Sequence, residues 1–202
     1  LDYAAFLRRL FLERFGTQAH QSPSPRPLTL SAGLAIIKPR YPVHLAARQA
    51  DELLDRAKSE KAPQALAPKD QCAALGQIWK WQDHDAIVQA GSQLADWVDA
   101  GITQRGWLHT LLELALLRRG EALGRQSAFV PELATSRLAY HVGRNWPKPD
   151  DRNPKAAAAR RWIDRIRDEF DRFKATTHTD TLYLPAILRY ALLATRSASV
   201  ED

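Results

Sequence analysis

The chain has 202 residues, 45% hydrophobic and 26% charged, which is the composition of a folded globular protein rather than a disordered one. Its net charge of +6 and pI near 9.7 come mostly from arginine and favour phosphate-bearing partners, although acidic residues are interleaved with the basic ones. The single cysteine, Cys72, excludes an internal disulfide and a cysteine-rich zinc site. The longest apolar run, residues 107–117, is cut by His109, Thr110 and Glu113 and is too short to span a bilayer.

In chain order, Tyr3, Phe6, Leu7, Leu10, Phe11 and Phe15 recur at helical spacing and predict one amphipathic helix ending at Gly16. Pro23, Pro25 and Pro27 make residues 18–27 a loop. Residues 28–37 form a β-type run with Ser31, Ala32 and Gly33 at its centre, closed by the rigid turn Lys38-Pro39-Arg40-Tyr41-Pro42. Residues 43–59 predict a second helix with Ala46, Ala50, Leu53, Leu54 and Ala57 on its buried face. A Pro/Ala linker covers residues 60–69, and residues 71–81 predict a further strand broken at Gly76.

From about Asp83 onward only helices are predicted. The first spans residues 84–99, with Asp83 or Asp85 as its cap and Gly101 closing it. The second is capped by Thr103 and runs over Trp107, Leu108, Leu111, Leu112 and Ala115. The third covers 132–145, residues 146–154 form a charged loop, and the fourth covers 156–174 with Trp162, Ile163, Ile166, Phe170 and Phe173 on one face. The last spans 182–195, with Pro185 in its first turn. The expected architecture is α+β, with a β/α domain at 1–82 followed by an all-α domain at 83–202.

Few short motifs carry chemistry. No methionine occurs, even at position 1, so the chain is expected to be a fragment or a processed piece. Asp2, Arg8, Arg9, Glu13 and Arg14 do not read as a secretory leader, and a cytoplasmic location is expected. His84-Asp85 lacks the further histidines that a metal-dependent HD nuclease needs, and no metal ligand set is expected. Arg172 and His178 share the spacing of HEPN-type ribonucleases, which leaves such an enzyme as one alternative; a solvated arginine and a loop histidine are the other. Arg160, Arg161, Arg165, Arg167, Arg172 and Lys174 are balanced by Asp164, Asp168, Glu169 and Asp171, the pattern of a salt-bridged solvent face. Trp97, Trp107, Trp146 and Trp162 are expected in cores rather than as base-stacking rings, with Trp146, in its Pro/Asp loop, also a candidate for exposure.

The informative stretch is residues 28–58. Small residues inside a strand let a ligand or another backbone approach closely, and a lysine ending a helix can reach out as a mobile cation for phosphates. On spacing alone, Gly33 equally marks a bulge and Lys58 equally complements the helix dipole. Leu30-Ser31-Ala32-Gly33-Leu34-Ala35-Ile36, followed by Asp51-Glu52-Leu53-Leu54-Asp55-Arg56-Ala57-Lys58, resembles the second half of a GGDEF-type palm. The turn Lys38-Pro39-Arg40-Tyr41-Pro42 extends the similarity to the large, polymerase/cyclase-like subunit of type III CRISPR effector complexes. Trp79 with Trp81, the segment 138–145 and the ending 188–196 resemble the Csm-type (III-A) branch.

The resemblance implies the C-terminal half of a ferredoxin-like, GGDEF-type palm followed by a helical docking domain. The intact palm is then expected to join ATP into cyclic oligoadenylates with Mg or Mn when target RNA is bound. Lys58 inherits a phosphate-contacting role, and Ser31 and Gly33 flank the nucleotide pocket. Arg144 and Asn145 become candidates for RNA or subunit contact. The expected partners are other effector subunits, guide RNA and target RNA. The family's Gly-Gly-Asp-Asp turn, HD nuclease and zinc module are not in these residues, so no catalytic residue is assigned here and the fragment alone is expected to be inactive. A scaffolding or binding module without catalysis is the remaining alternative.

Overall fold

The structure, a computed structural model, describes residues 1–15, 28–119, 131–148, 152–171 and 178–197. The predicted loop at 18–27, Phe173 and Arg172 of the HEPN-like pairing lie outside the described residues. Two compact units divide the chain, Leu1–Asp85 and Ala86–Asp202. No helix among the described residues is long and apolar enough to cross a membrane.

The first unit opens with α1 (Asp2–Phe15), continues through β1 (Ala32–Gly33), α2 (Val43–Ser59), β2 (Gln71–Ala74) and β3 (Gln77–Lys80), and ends in the start of α3 (Trp81–Asp99). Only two residues of the expected 28–37 strand pair. Leu34 adds one backbone bond, its N–H to the Ala73 carbonyl at 2.9 Å, and the rest has no partner strand among the described residues, because pairing needs a neighbour as well as β-prone residues. β1 runs parallel to β2, with Ala32 opposite Cys72 and Gly33 opposite Ala73, and α2 forms the crossover between them. The single strand expected at 71–81 is instead a hairpin. Leu75 and Gly76 take positive φ (51° and 75°), a two-residue turn that returns β3 antiparallel to β2.

α2 shows the expected amphipathic face. Ala57 is fully buried, while Ala46, Ala50, Leu53 and Leu54 are half-buried. Ala57 packs with Ala62, Ala73 and Ile78, and Leu53 and Ala65 close over this core. The linker at 60–69 therefore supplies core residues although it forms no regular element. β2 is buried along its whole length, and burial pushes the Cys72 thiol up to about 12. Helix α1 has the expected aromatic and aliphatic spacing, yet only Ala4 is buried; Tyr3, Phe6, Leu7, Leu10 and Phe15 remain 40–71% exposed.

Within the second unit, the remainder of α3 is followed by α4 (Arg105–Arg118), α5 (Pro131–Asn145), α6 (Pro154–Asp171), the short α7 (Thr179–Leu182) and α8 (Leu184–Ser197). α4 packs on α5 and α8, α5 on α6, and α6 on α7. The core holds Leu94, Leu108, Leu111, Leu138, Ile163, Ile166 and Ile187, all fully buried. α3 approaches α8 closely at Gly91, where an added Cβ would lie 2.6 Å from the Tyr190 ring.

Four indoles meet in one cluster. Trp97 lies edge-on to Trp146 and Trp162, and Trp107 lies edge-on to Trp146, with centroids 6.0–6.4 Å apart. Trp146 is thus a core residue, 5% exposed, with its indole N–H donated to the Ala159 carbonyl at 2.8 Å. This is the core placement expected of it, not the exposure its Pro/Asp loop left open: the ring turns inward where an acceptor waits.

Three helix starts differ from expectation. α3 begins at Trp81, so Asp83 sits in its first turn and neither Asp83 nor Asp85 is the cap. The N-cap of α4 is Gln104, not Thr103, and it makes no side-chain capping bond. The last predicted helix is interrupted at Tyr183, which separates α7 from α8.

Candidate functional site

The sequence candidates fall into two separate places, one in each unit. In the first, the β1–α2–β2 path determines which residues share an end. The chain runs up β1, returns along α2 and rises again in β2, so the C-terminus of α2 lies at the end where β1 begins. The register continues Ser31 to the level of Gln71. Gln71 is fully buried and ties that end together. Its amide nitrogen donates to the Ala57 carbonyl at 2.9 Å and to the Glu60 carbonyl, while its oxygen accepts from the Ala62 N–H at 3.3 Å. Lys58 follows Ala57 directly. Ser31 and Lys58 are thereby placed at the same end of the βαβ unit.

Helix and strand rises agree with this. Gly33 crosses α2 at Ala50, Leu53 and Leu54. Two residues back along β1, about 6.6 Å, brings the chain to Ser31. The same distance along α2, about four residues, leads from Leu54 to Lys58. Lys58 is exposed in the last turn of α2 and makes no ion pair or hydrogen bond among the described residues, so its ammonium is available to a ligand. Arg56, its neighbour, is engaged with Glu60 at 3.0 Å.

Gly33 admits another backbone, one of the two close approaches that the small residues of this stretch suggest. A Cβ there would stand 2.5 Å from the Ala50 carbonyl oxygen and 2.8 Å from the Leu53 carbonyl carbon, and closer still to the Leu54 nitrogen. These are helix backbone atoms that cannot swing aside. The glycine lets β1 and α2 touch, which accounts for it without a ligand.

The same end carries an anchor that sequence reasoning did not find. The Trp81 indole donates to the Leu30 carbonyl at 2.7 Å, fixing the strand immediately before Ser31. Arg8 lies 5.7 Å over the Trp81 ring and 3.4 Å from Asp70. His84 is buried beside it and accepts the Trp79 indole N–H on Nδ1 at 3.2 Å, and burial holds its pKa below the ordinary histidine value against the opposing pull of Asp85. That bond occupies the imidazole's Nδ1. A cleft of about 810 Å³ beside it is bordered by Asp2, Arg8, Arg9, Glu13 and Asp85, a mixed set of charges. Among the described residues, no group of three or more His, Cys, Asp or Glu could hold a metal ion.

Residues 1–67 match the family model for Cas10/Cmr2, second palm domain. The Cas10/Cmr2 palm match takes in α1, β1 and α2, and with them Ser31, Gly33 and Lys58, and it ends before β2. It agrees with the resemblance of this stretch to the large subunit of type III CRISPR complexes. No curated protein and no solved structure matches the chain.

The second place is a cleft of about 670 Å³ within the helical unit. Arg144 and Asn145, at the end of α5, both line it, together with Gln104, Trp107, His141 and Asn153. Arg144 bonds the Tyr140 hydroxyl at 2.9 Å, and the Asn145 amide nitrogen lies 3.4 Å from His141 Nδ1. Sequence reasoning singled out Arg144 and Asn145 but missed Gln104, Trp107 and Asn153. These come from the ends of other helices, and no local pattern joins them. His178, the described half of the ribonuclease pairing, starts α7 and lies 3.6 Å from Glu169.

Proposed function

We propose that this chain is part of the large subunit of a Csm-type (III-A) CRISPR RNA-guided effector complex. Its first unit contributes half of a palm that joins ATP into cyclic oligoadenylates when target RNA binds, and its helical unit docks the small subunits. The palm-family match over residues 1–67 carries this reading. The shared end of Ser31 and Lys58 supports it, because a free ammonium beside a strand of small residues suits a nucleotide's phosphates.

In this reading the work of these residues is electrostatic. Phosphoryl transfer spreads negative charge over the phosphate oxygens, and a fixed cation stabilises that charge without itself reacting. Lys58 supplies such a cation. Ser31 offers a hydroxyl just before β1, next to the Leu30 carbonyl that the Trp81 indole holds. In this reading the metal, Mg or Mn, and the reacting carboxylates are supplied by other residues of the intact palm.

The test is Lys58→Ala in the intact complex with guide and target RNA. Loss of one charge-assisted phosphate contact costs about 1.5–3 kcal/mol, or roughly 10- to 150-fold in ATP affinity or oligoadenylate synthesis. Unchanged synthesis and unchanged ATP affinity would remove Lys58 from the site. A complex that assembles normally but never binds ATP, even unsubstituted, would favour a scaffolding module.

A further inference from the structure

Helix α5 turns one face to solvent, and the residues on it follow a helical spacing. Leu133, Arg137, Tyr140 and Arg144 stand at steps of four, three and four residues, which sets them in one stripe along the helix, and all four are exposed. The opposite face, Ala134, Leu138 and Val142, is fully buried. The stripe is therefore an outer surface of the helical unit.

Its two arginines lack the acidic neighbours that arginines of α2 and α6 have. Arg48 pairs with Glu52, Arg56 with Glu60 and Arg160 with Asp164, each four residues on. No acidic residue stands three or four positions from Arg137 or Arg144, and Glu132, in the first turn, is the one carboxylate in the sequence of α5. Both arginines have contacts within the molecule, but a guanidinium carries five N–H donors and keeps capacity for a phosphate.

Tyr140 stands between them and is held in place. It is 61% exposed, yet its hydroxyl accepts an N–H of Arg144 at 2.9 Å and the His141 ring meets it edge-on with centroids 5.4 Å apart. His141 in turn lies 5.4 Å from the buried Trp107 ring. An exposed aromatic side chain ordinarily loses rotational freedom when a ligand stacks on it. Here the neighbours have already restricted the ring, which lowers the entropic cost of stacking.

The spacing selects the partner. Along the helix Arg137 and Arg144 are about 10.5 Å apart, with Tyr140 about 4.5 Å from the first and about 6 Å from the second. Cations on both sides of an aromatic face match a backbone whose phosphates flank each base. An acidic peptide would use the cations and leave the ring idle, and a duplex hides the faces of its bases. We infer that the α5 stripe binds a single-stranded nucleic acid, with a base stacked on Tyr140 and phosphates held by Arg137 and Arg144. This goes beyond the docking of protein subunits proposed for the helical unit. None of its residues lies in the palm-matched segment, so it stands or falls separately from the role of Lys58.

The experiment is fluorescence anisotropy of the full-length protein with an end-labelled eight-nucleotide oligouridylate, and with oligodeoxythymidylate of the same length, over a range of salt concentrations. Tyr140→Leu should weaken binding roughly 5- to 150-fold while leaving the salt dependence unchanged, because a stacked base releases no counterion. Tyr140→Phe keeps the ring and should recover most of that loss. Arg137→Ala and Arg144→Ala should each lower the slope of log K against log salt by about 0.7, the contribution of one phosphate on a single strand. All four substitutions are on the surface, and urea midpoints close to the parent's would show that binding, not folding, has changed. Equal binding of the two oligonucleotides supports a site that reads base face and backbone; tighter binding of the oligouridylate supports one that also touches the 2′-hydroxyl. The inference is overturned if neither oligonucleotide binds, if Tyr140→Leu binds as the parent does, or if the arginine variants keep the parent's slope. It is overturned too if an oligoglutamate of equal length displaces the oligouridylate with equal potency, which would assign the face to an acidic protein partner.

Discussion

Substituting Gly33 with alanine is the sharpest test of how the first unit is built. The new methyl would stand 2.5 Å from the Ala50 oxygen and 2.8 Å from the Leu53 carbonyl carbon, where ordinary contact begins near 3.4 Å. Neither atom belongs to a flexible side chain, so α2 as a whole must back away from β1 by about 1 Å. A gap of that size forfeits a quarter to a half of each dispersion contact along the interface. Overpacking in a tight site costs about 1–3 kcal/mol, and the smaller entropy loss of alanine on folding returns about 0.4–1 kcal/mol. With backbone on the receiving side, the expected net loss is about 2 kcal/mol. Urea unfolding followed by circular dichroism measures it. Gly143→Ala is the control: its Cβ meets nothing within 4 Å and it lies in α5, so it should gain about 0.5–1 kcal/mol. A Gly33→Ala protein within about 0.5 kcal/mol of the parent would refute the close packing. The glycine would then need another explanation, a ligand being the obvious one.

Two other outcomes follow from buried groups. Gln71→Leu keeps the volume but leaves the Ala57 and Glu60 carbonyls and the Ala62 N–H without their shared partner. At about 1–3 kcal/mol for each stranded group, a loss of at least 3 kcal/mol is expected in the same urea assay, and a loss under 1 kcal/mol would show that water replaces the amide. His84 has a folded pKa below its ordinary 6.5, chiefly through burial, so the folded protein binds fewer protons than the unfolded chain once the pH drops beneath that value. Its stabilising effect is therefore complete above about pH 6.5 and is lost as the pH falls toward the depressed folded value. The urea midpoint should decline over that window, and His84→Gln should flatten the decline; an identical slope in the variant would move the effect elsewhere.

The helices were legible because amphipathic periodicity is a local property repeated over several turns. The α2 face from Ala46 to Ala57 is where the spacing puts it, and so is the core stripe of Trp162, Ile163 and Ile166. Strands were less legible. Residues 28–37 have the composition for a long strand, but only Ala32 and Gly33 enter the ladder with β2 among the described residues, and composition cannot report a missing neighbour. The hairpin at Leu75-Gly76 hid behind a leucine in a left-handed conformation, since a turn reader expects Asn, Asp or Gly there. Helix caps failed for a related reason. Thr103 is the better capping residue by chemistry, yet the C-terminal closure of α3 takes its N–H back to Trp97 and leaves Gln104 at the helix start.

The candidate sites divide along the same line. Ser31 and Lys58 could be named from the resemblance of their stretch to a GGDEF-type palm, and the βαβ connectivity seen in the structure returns the helix end to the start of the strand. Nothing in the sequence marks Gln71 as the residue that fastens this end, for a glutamine beside a lone cysteine reads as ordinary surface until its amide is seen between α2 and β2. The second cleft is harder still. Arg144 and Asn145 stood out as an arginine-polar pair, but Gln104, Trp107 and Asn153, which line the cleft with them, come from other helices and share no local pattern with them. A tryptophan can be buried and still be short of an acceptor. Periodicity reports burial; only the arrangement of neighbours reports which buried donor is left unpaired.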